Sequence, residues 1–366
     1  MAEIVIVASN SIVRHPRIWK IVSSLSKRYE VTVFGWNREG ISSKEVDSYI
    51  SDLTLCKLAA PFGRPSLILY YPFFWTWIFM KLLKYRPKVI HAVDLDTLLP
   101  CSVYKLMFRK KLVYDVHDRF AGYVPPKFKV LYSIIKLFEE LSSKRVDVLI
   151  TVSEKVLSTF RLHPKNCAVI MNLSEYYSLE KEKISDRILS LVYTGLICKD
   201  QGLERIATAI KDLNGVQLVL AGRIADKQLL DQMLKLSNVK YKGILHRSES
   251  LKLEASSDVM IVLYDLKYRK NKLSSPNKVF EAMMCGIPLI TNMEPELVGS
   301  EVNCGIVVDY DNINQIKEAI ILLRDDEELR RKLGHNGRKA FEKKYNWDSM
   351  EKKLYQIYDN LLRKNR

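Results

Sequence analysis

The sequence gives no sign of a metal centre or of a disulfide framework. Its 366 residues include only six cysteines, at positions 56, 101, 167, 198, 285 and 304, with no CxxC pair and no histidine beside any of them. Closely spaced zinc ligands are therefore missing. Because the neighbours of these cysteines are mostly apolar, we expect reduced, buried thiols in a cytoplasmic protein and no bound metal.

The start of the chain also lacks the basic stretch and the cleavage site of a signal peptide, and Ile4–Val7 predicts a first core strand instead. The most apolar segment, Leu67–Leu83, contains Pro72 and ends among lysines. About 17 residues are barely enough to cross the hydrocarbon of a bilayer. We expect a helix that is either internal or lies on the membrane surface, and both alternatives stay open.

Positive charge is plentiful, with a formal net charge of +16 that is larger in the first half of the chain. Such a field attracts phosphates, nucleic acid or an anionic bilayer. The basic residues are dispersed and accompany no recognition motif, so we expect no nucleic-acid partner. The basic stretches Lys81–Lys88 and Phe108–Lys111 predict a peripheral site on the inner face of the cell membrane, with a solvated charged face as the alternative.

The pattern that is present alternates short apolar runs with amphipathic runs of ten or more residues. This rhythm predicts an α/β fold with parallel, doubly wound sheets. A polar, charged stretch interrupts it at 173–190, after which it restarts. We therefore predict two Rossmann-like domains facing each other across a cleft, at residues 1–172 and 191–345, joined by a linker at 173–190 and followed by a C-terminal helix at 346–366.

One segment carries the clearest chemistry. Ser275 predicts a helix N-cap and Pro276 the first helical position, and Gly286 ends the helix. The unpaired N–H groups of that first turn favour an anion such as a diphosphate, with Lys278 as an added charge. Glu281, one turn later, suits two vicinal hydroxyls such as those of a ribose. An ordinary capped helix is the alternative.

Softer candidates lie in the first half. Five side chains at two strand ends are placed to orient or deprotonate a hydroxyl, or else to cap helices, and His91 is expected to pack within its strand. Arg14 and Arg17 are candidates for a phosphate clamp or for an exposed first turn. The five are Asp94, Asp96, Asp115, His117 and Asp118.

Residues 276–291 (PNKVFEAMMCGIPLIT) resemble the donor-site helix of glycosyltransferase family 4, the retaining enzymes with the GT-B fold. Further segments resemble that family in the same order and spacing over nearly the whole chain. They are Ile90–Asp96, Val113–Asp118, Tyr193–Gly195, Gln201–Glu204, Leu218–Gly222, Tyr241–Gly243 and Tyr345–Trp347.

The resemblance implies a glycosyltransferase that moves a sugar from a UDP- or GDP-sugar, held by the second domain, to a glycan or polyprenyl-linked acceptor near Ser9–Pro16 of the first domain. It implies no cofactor and no required metal, and a final helix that crosses back to the first domain. The implied donor-binding residues are Gly195, Lys199, Arg223, Gly243, Ile244, Leu245, Ser275, Pro276, Asn277, Lys278 and Glu281. The acceptor-binding residues are Asn10, Ser11, Arg14, Arg17, Asp96 and Asp118, and the catalytic residues are Lys278, Lys199, Asp94 and His117.

The chain departs from the family pattern at several positions. Leu273 replaces the first glutamate of the Glu-x7-Glu pair, Leu196 and Gln201 replace common basic residues, and Val93 replaces a histidine. Lys199, Arg223, Lys272 and Lys278 are the candidates to supply the missing charge. The reaction tolerates such losses, because stabilising the leaving diphosphate is the main demand on the protein.

Two other functional classes remain open from the sequence. One is a nucleotide-sugar epimerase or sugar phosphorylase on the same fold. The other is a non-catalytic sugar-binding subunit.

Overall fold

The computed structural model describes residues 3–9, 16–38, 52–61, 65–124, 127–175, 177 and 188–363. The chain forms two compact units, Met1–Asn172 with Met350–Arg366, and Leu173–Ser349. Most of the predicted linker, 173–190, lies outside the described residues, and its last two residues open the first strand of the second unit.

The first unit contains a seven-stranded parallel sheet in the order β3-β2-β1-β4-β5-β6-β7. The alternation of apolar runs predicts six of these strands, but not the half-buried β3. The strands are β1 (Ile4–Ala8), β2 (Val31–Trp36), β3 (Leu53–Cys56), β4 (Val89–Val93), β5 (Lys111–Val116), β6 (Val148–Thr151) and β7 (Cys167–Val169).

Right-handed crossovers between parallel strands place α2, α3 and α4 of this unit on one face of its sheet and α1 on the other. These helices and the short α5 are α1 (Pro16–Ser26), α2 (Tyr71–Tyr85), α3 (Leu95–Phe108), α4 (Lys129–Ser143) and α5 (Glu154–Ser158).

The C-terminal helix packs on the first unit, on the side of α1. This helix spans Trp347–Arg363, and Met350 and the residues after it belong to that unit. The Tyr355 hydroxyl donates to the Ser24 carbonyl of α1 at 2.9 Å, and the Tyr358 hydroxyl lies 2.5 Å from His91 Nδ1 in β4. His91 is buried within its strand, as the sequence predicts.

The second unit contains a six-stranded parallel sheet in the order β10-β9-β8-β11-β12-β13. Its strands are β8 (Leu189–Thr194), β9 (Val216–Ala221), β10 (Val239–Tyr241), β11 (Val259–Val262), β12 (Leu289–Thr291) and β13 (Gly305–Val307). Its helices are α6 (Leu203–Ile210), α7 (Lys227–Met233), α8 (Arg247–Ala255), α9 (Arg269–Lys272), α10 (Asn277–Cys285), α11 (Ile313–Asp325) and α12 (Glu327–Lys343), and α13 is the C-terminal helix already described.

Both sheets are covered on both faces, which explains their sequence. β1, β2, β4 and β8 are buried at every residue, so they are mostly apolar and do not alternate between apolar and exposed polar positions. Each unit therefore has its own core, and both are Rossmann-like.

The apolar segment Leu67–Leu83 is not one continuous α-helix. A 3₁₀ turn covers Pro65–Tyr70, and α2 begins at Tyr71 because Pro72, which has no N–H to donate, fits only in the first turn. One stripe of α2 is buried, consisting of Phe74, Ile78 and Leu82. Within the described ranges, no helix combines the length and hydropathy that crossing a bilayer requires.

Candidate functional site

The carboxyl edge of the second sheet gathers the loops that the sequence assigns to a donor. Strands β8, β9 and β10 are neighbours, and they lead into the loops that begin at Gly195, Gly222 and Lys242. The chain order reverses between β8 and β11, and ligands of open α/β sheets bind at such a switch point. The N-terminus of α10, which follows β11, lies at the same edge.

The first two of these loops run in direct contact. Gly195 N–H donates to the Ala221 carbonyl at 2.9 Å, and Ile197 N–H donates to the Arg223 carbonyl at 2.8 Å. A Cβ on Gly222, whose φ is +133°, would overlap the carbonyl oxygen of Gly195. Only glycine fits at position 222, because the backbone of Gly195 occupies the space that a side chain would need.

Helix α10 begins one residue later than the sequence predicts. Pro276 is its N-cap, Asn277 is its first residue, and no side chain caps it, so the prediction that Ser275 caps the helix is wrong. The proline side chain has no acceptor atom, so no side-chain cap occupies the amides of Asn277 and Lys278, while Val279 N–H donates to the Pro276 carbonyl at 3.1 Å. Gly286 ends the helix in the left-handed conformation with φ +63°, as predicted.

Behind that helix start lies a cluster of two carboxylates and two cations. Lys278 Nζ is 2.7 Å from Glu254 Oε1 and 2.6 Å from Glu281 Oε2, and Arg247 is 2.5 Å from Glu281 Oε1. The Thr194 hydroxyl donates to Glu254 from the end of β8. Lys278 is thus not an uncommitted charge for a phosphate, because two buried carboxylates already neutralise it.

The cluster shifts the pKa values of its two carboxylates in opposite directions. Burial alone would raise the pKa of Glu281, but Lys278 and Arg247 hold it at about 2. Burial, together with the nearby Glu281 charge, raises the pKa of Glu254 above its usual value. Glu281 is therefore the ionised acceptor of the site. Arg247, whose side chain is 51% exposed, is the cation of the cluster that reaches solvent.

The remaining donor residues predicted from the sequence lie around this edge. Lys199 and Arg223 are exposed, and Lys199 Nζ is 4.0 Å from Asp226. Gly243 has a left-handed φ of +81°, and its carbonyl accepts from Gly222 N–H at 2.8 Å. Ile244 is exposed and Leu245 half-buried. Lys272 is exposed on the short α9.

The carboxyl edge of the first sheet carries a second acid–base cluster. Asp94 follows β4 and Asp115 lies near the end of β5, so the pairing of these strands brings both to His117. The backbone N–H of His117 donates to Asp94 Oδ1 at 3.0 Å. The ring Nδ1 of His117 lies 3.8 Å from Asp94 Oδ2, and its Nε2 lies 3.2 Å from Asp115 Oδ2. Two predicted catalytic residues, Asp94 and His117, thus meet as a pair.

Asp94 is held in a backbone conformation that normally only glycine adopts, with φ 60° and ψ 170°. Such strain costs about 1–3 kcal/mol and clusters at functional sites. Burial raises the pKa of Asp94 to about 7. Burial alone would lower the pKa of His117, but Asp94 and Asp115 raise it above its usual value. The pKa values of both groups therefore lie above their usual values.

Arg17 is not an acceptor clamp, and it is not exposed either. Its guanidinium is 1% exposed and lies 2.7 Å from Asp115 Oδ1, with a further bond to the Ile170 carbonyl at 2.5 Å. Although burial raises the pKa of Asp115, Arg17 and His117 hold it well below its usual range. The first turn of α1 faces the sheet, so this arginine neutralises a core carboxylate.

The other predicted acceptor residues separate. Asp96, in the first turn of α3, accepts from Ser9 and from the Tyr71 hydroxyl, the latter at 3.1 Å. Asp118 is exposed, one residue beyond His117. Asn10, Ser11 and Arg14 lie outside the described residues.

Sequence reasoning missed Arg247 and Glu254. Arg247 lies 34 positions before the carboxylate it binds, and Glu254 occupies a buried position of α8, where the pattern predicts only a helix. The one available signal was the acidic residue on the buried side of an amphipathic helix.

Among the described side chains, no group of three or more His, Cys, Asp or Glu residues is placed to hold a metal ion. That the reaction requires no metal stays a prediction from the sequence.

Two family models match the chain in adjacent segments. The family described as "Glycosyltransferase Family 4" matches residues 17–172, and the family described as "Glycosyl transferases group 1" matches residues 177–340. Together they cover most of both units.

Individual proteins are similar at lower identity. The capsular polysaccharide biosynthesis glycosyltransferase CapM of Staphylococcus aureus is 22% identical over 260 residues, 64% of this chain and 67% of that protein. Sucrose-phosphate synthase of Thermosynechococcus elongatus superposes with a TM-score of 0.77 at 16% identity, over 99% of both chains. HepE of Anabaena, in complex with UDP and glucose, does so with a TM-score of 0.72 at 14% identity, over 98% of this chain and 100% of that one.

Proposed function

Because the chain belongs to glycosyltransferase family 4, has the GT-B fold and uses a nucleotide-sugar donor, we propose that it transfers a sugar from a UDP- or GDP-sugar to a glycan or polyprenyl-linked acceptor, with retention of anomeric configuration. The protein would act on the cytoplasmic side of the membrane, as predicted from the sequence. It would be active without a metal.

The observation that carries the proposal is Glu281. It is an ionised, buried carboxylate one turn into α10, and Lys278 and Glu254 link it to Thr194 at the end of β8. A carboxylate there accepts charge-assisted hydrogen bonds from the two hydroxyls of a ribose. The amides after Pro276 then face the diphosphate, and Gly243–Leu245 border the base.

The leaving diphosphate gains charge as the glycosidic bond breaks, and stabilising that charge is where the protein accelerates the reaction. Helix amides of α10 contribute first. Lys199 and Arg223, both exposed at this edge, are the proposed side-chain donors. Lys278 acts indirectly in this proposal, because it holds Glu281 ionised and in place.

Asp94 and His117 are the proposed partners of the acceptor hydroxyl. Two neighbouring groups with raised pKa values, 3.8 Å apart at this sheet edge, are suited to orient a hydroxyl and to take up its proton. Asp96 and Asp118 flank it as further acceptor contacts.

A thermal-shift screen of UDP, GDP, ADP and dTDP tests the nucleotide, since a ligand that binds only the folded state raises the midpoint. Donor turnover is then measured with and without a lipid extract of membranes. Turnover that requires the extract, with the sugar recovered on lipid, supports the proposal. Turnover to a free epimer or a sugar phosphate, or binding without any turnover, contradicts it.

A further inference from the structure

The first unit exposes an apolar surface with one sign of charge. Most of the large apolar side chains exposed among the described residues lie between Ile68 and Leu141, and the others are scattered through the second unit. Those on the first unit are Ile68, Leu69, Phe73, Met80, Leu83, Val103, Leu106, Met107, Phe108, Phe128, Val130, Leu131, Ile134, Leu137, Phe138 and Leu141. Soluble monomers rarely expose so much contiguous apolar area without a partner.

These residues belong to three helices on one face of one sheet. α2, α3 and α4 all lie on the same side by the handedness of their crossovers, and α3 contacts both of the others. We call their outward face, with the turn Pro65–Tyr70 before α2 and Phe128 before α4, the three-helix face. It is continuous, since neighbouring helices contribute to it.

Helix α4 buries its acidic residues and exposes apolar ones. Its two acidic residues, Glu139 and Glu140, are buried, and Arg119 neutralises both, with Nε 2.8 Å from Glu139 and Nη2 3.6 Å from Glu140. Its outward side carries Ile134 and Leu137, which are 59% and 56% exposed. A water-facing helix would show the opposite arrangement.

The charges that remain outside are basic. The only carboxylates of the described α2, α3 and α4 are Asp96, at the strand end, and the buried Glu139 and Glu140. Lysines lie near two aromatic rings instead: Lys81 Nζ is 5.7 Å from the ring centroid of the half-buried Trp77, and Lys127 Nζ is 5.0 Å from that of the exposed Phe128. Apolar stems with cationic ends suit the boundary between acyl chains and anionic headgroups.

We propose that the three-helix face docks on an anionic lipid bilayer without spanning it, with α4 as the main apolar contact. A second copy of this chain is the weaker occupant, because two basic faces repel each other. The inference deepens the proposed function and rests on it for the acceptor, since a docked enzyme meets a polyprenyl-linked acceptor at the surface that holds it.

The test is flotation of the full chain with vesicles of equal parts phosphatidylcholine and phosphatidylglycerol, against vesicles of phosphatidylcholine alone. The wild type should bind the anionic vesicles and detach as salt rises. Ile134→Glu with Leu137→Glu should reduce binding at least about tenfold, because two charged side chains replace the inserted apolar ones. Leu322→Glu, at a 48% exposed position of α11, is the matched control and should bind like the wild type.

A second variant tests the charge alone. Changing Lys81, Lys84, Arg109 and Lys110 to glutamate should reduce binding more than about a hundredfold, as each basic residue near an anionic surface counts about fivefold. The thermal shift with UDP should be unchanged in all variants, so that loss of docking is distinguishable from failure of the donor site. A monomeric wild type that ignores anionic vesicles at low salt overturns the proposal. So does a wild-type dimer that the α4 variant dissociates.

Discussion

The two units each place carboxylates and cations at the carboxyl edge of a parallel sheet, and they differ in where the cation lies. In the first unit Arg17 is buried beneath Asp115 and also holds the Ile170 carbonyl. In the second unit Arg247 is half in solvent and bonds to Glu281 and to the Ser174 hydroxyl at 3.0 Å. A buried cation is a fixed part of the core, whereas an exposed one is able to exchange its partner when a ligand arrives.

This difference assigns separate roles to two similar clusters. In the first, Arg17 holds the pKa of Asp115 well below its usual range, whereas the pKa values of Asp94 and His117 are raised. The second keeps Glu281 ionised and bonded to Arg247, and a ligand hydroxyl can take the place of Arg247 as donor.

The largest expected effect follows from removing the buried cation. Arg17→Ala should lower the free energy of unfolding by about 3–5 kcal/mol, because it leaves an uncompensated buried charge on Asp115. Arg247→Ala should cost about 1 kcal/mol or less, since Lys278 still neutralises Glu281 and the arginine is half exposed. Urea unfolding measures both. Equal losses would erase the contrast between the two clusters, and Asp115→Asn should partly rescue Arg17→Ala.

Glu281→Gln should leave the fold intact and weaken UDP or GDP binding by about 1–3 kcal/mol, the range for a lost charged hydrogen bond. Titration calorimetry measures the affinity, and Glu296→Gln, at an exposed position of the same unit, is the control. Unchanged affinity in the folded Glu281 variant would remove this carboxylate from the donor site.

The Asp94–His117 pair predicts a pH-dependent stability. Both groups have raised pKa values in the folded state, so the stability they contribute is present at low pH and is lost as pH rises through neutral. Asp94→Asn stays uncharged throughout. It should therefore gain about 1–3 kcal/mol relative to the wild type between about pH 5 and about pH 8. A difference independent of pH, measured by thermal melts at both values, would show that Asp94 does not titrate in this range.

The smallest expected effect is that of chelation. The helix amides of α10, with Lys199 and Arg223, are expected to take the diphosphate charge without an ion, so EDTA should leave turnover within about twofold. Assays with the donor nucleotide found in the screen decide this. Full loss that magnesium or manganese restores would mean that the phosphate site has been misread.

The fold was predictable because both sheets are buried on both faces, and the central strands are therefore mostly apolar in sequence. The edge strand β3 was missed. Half-burial alone does not explain this, because β7 at the other edge of the sheet is also half-buried and was predicted. Gly286 was predictable as a helix end because its left-handed backbone is a local property. The N-cap of α10 was not predictable: the sequence favours Ser275, whereas Pro276 occupies that position in the structure.

The ion pairs could not be predicted from the sequence, because they depend on long-range contacts and not on local sequence. Arg17 with Asp115, and Arg247 with Glu281, join residues far apart in sequence, and only the crossover topology brings them together. Lys278 was predicted to face a phosphate, whereas the structure pairs it with Glu254 and Glu281. The spacing shows neither the distance to Glu254 nor the burial of Glu254.

The contact between Gly195 and Gly222 sets a limit on engineering. Ala225 N–H and Asp226 N–H both donate to the Ile197 carbonyl at 3.0 Å, so the loops after β8 and β9 are tied to each other over several residues. Neither loop has room for a foreign partner, as no side chain fits at 222. To change the donor preference by exchanging these loops, residues 194–198 and 221–226 must therefore be replaced together. Either loop alone would lose the backbone contacts that it makes with the other.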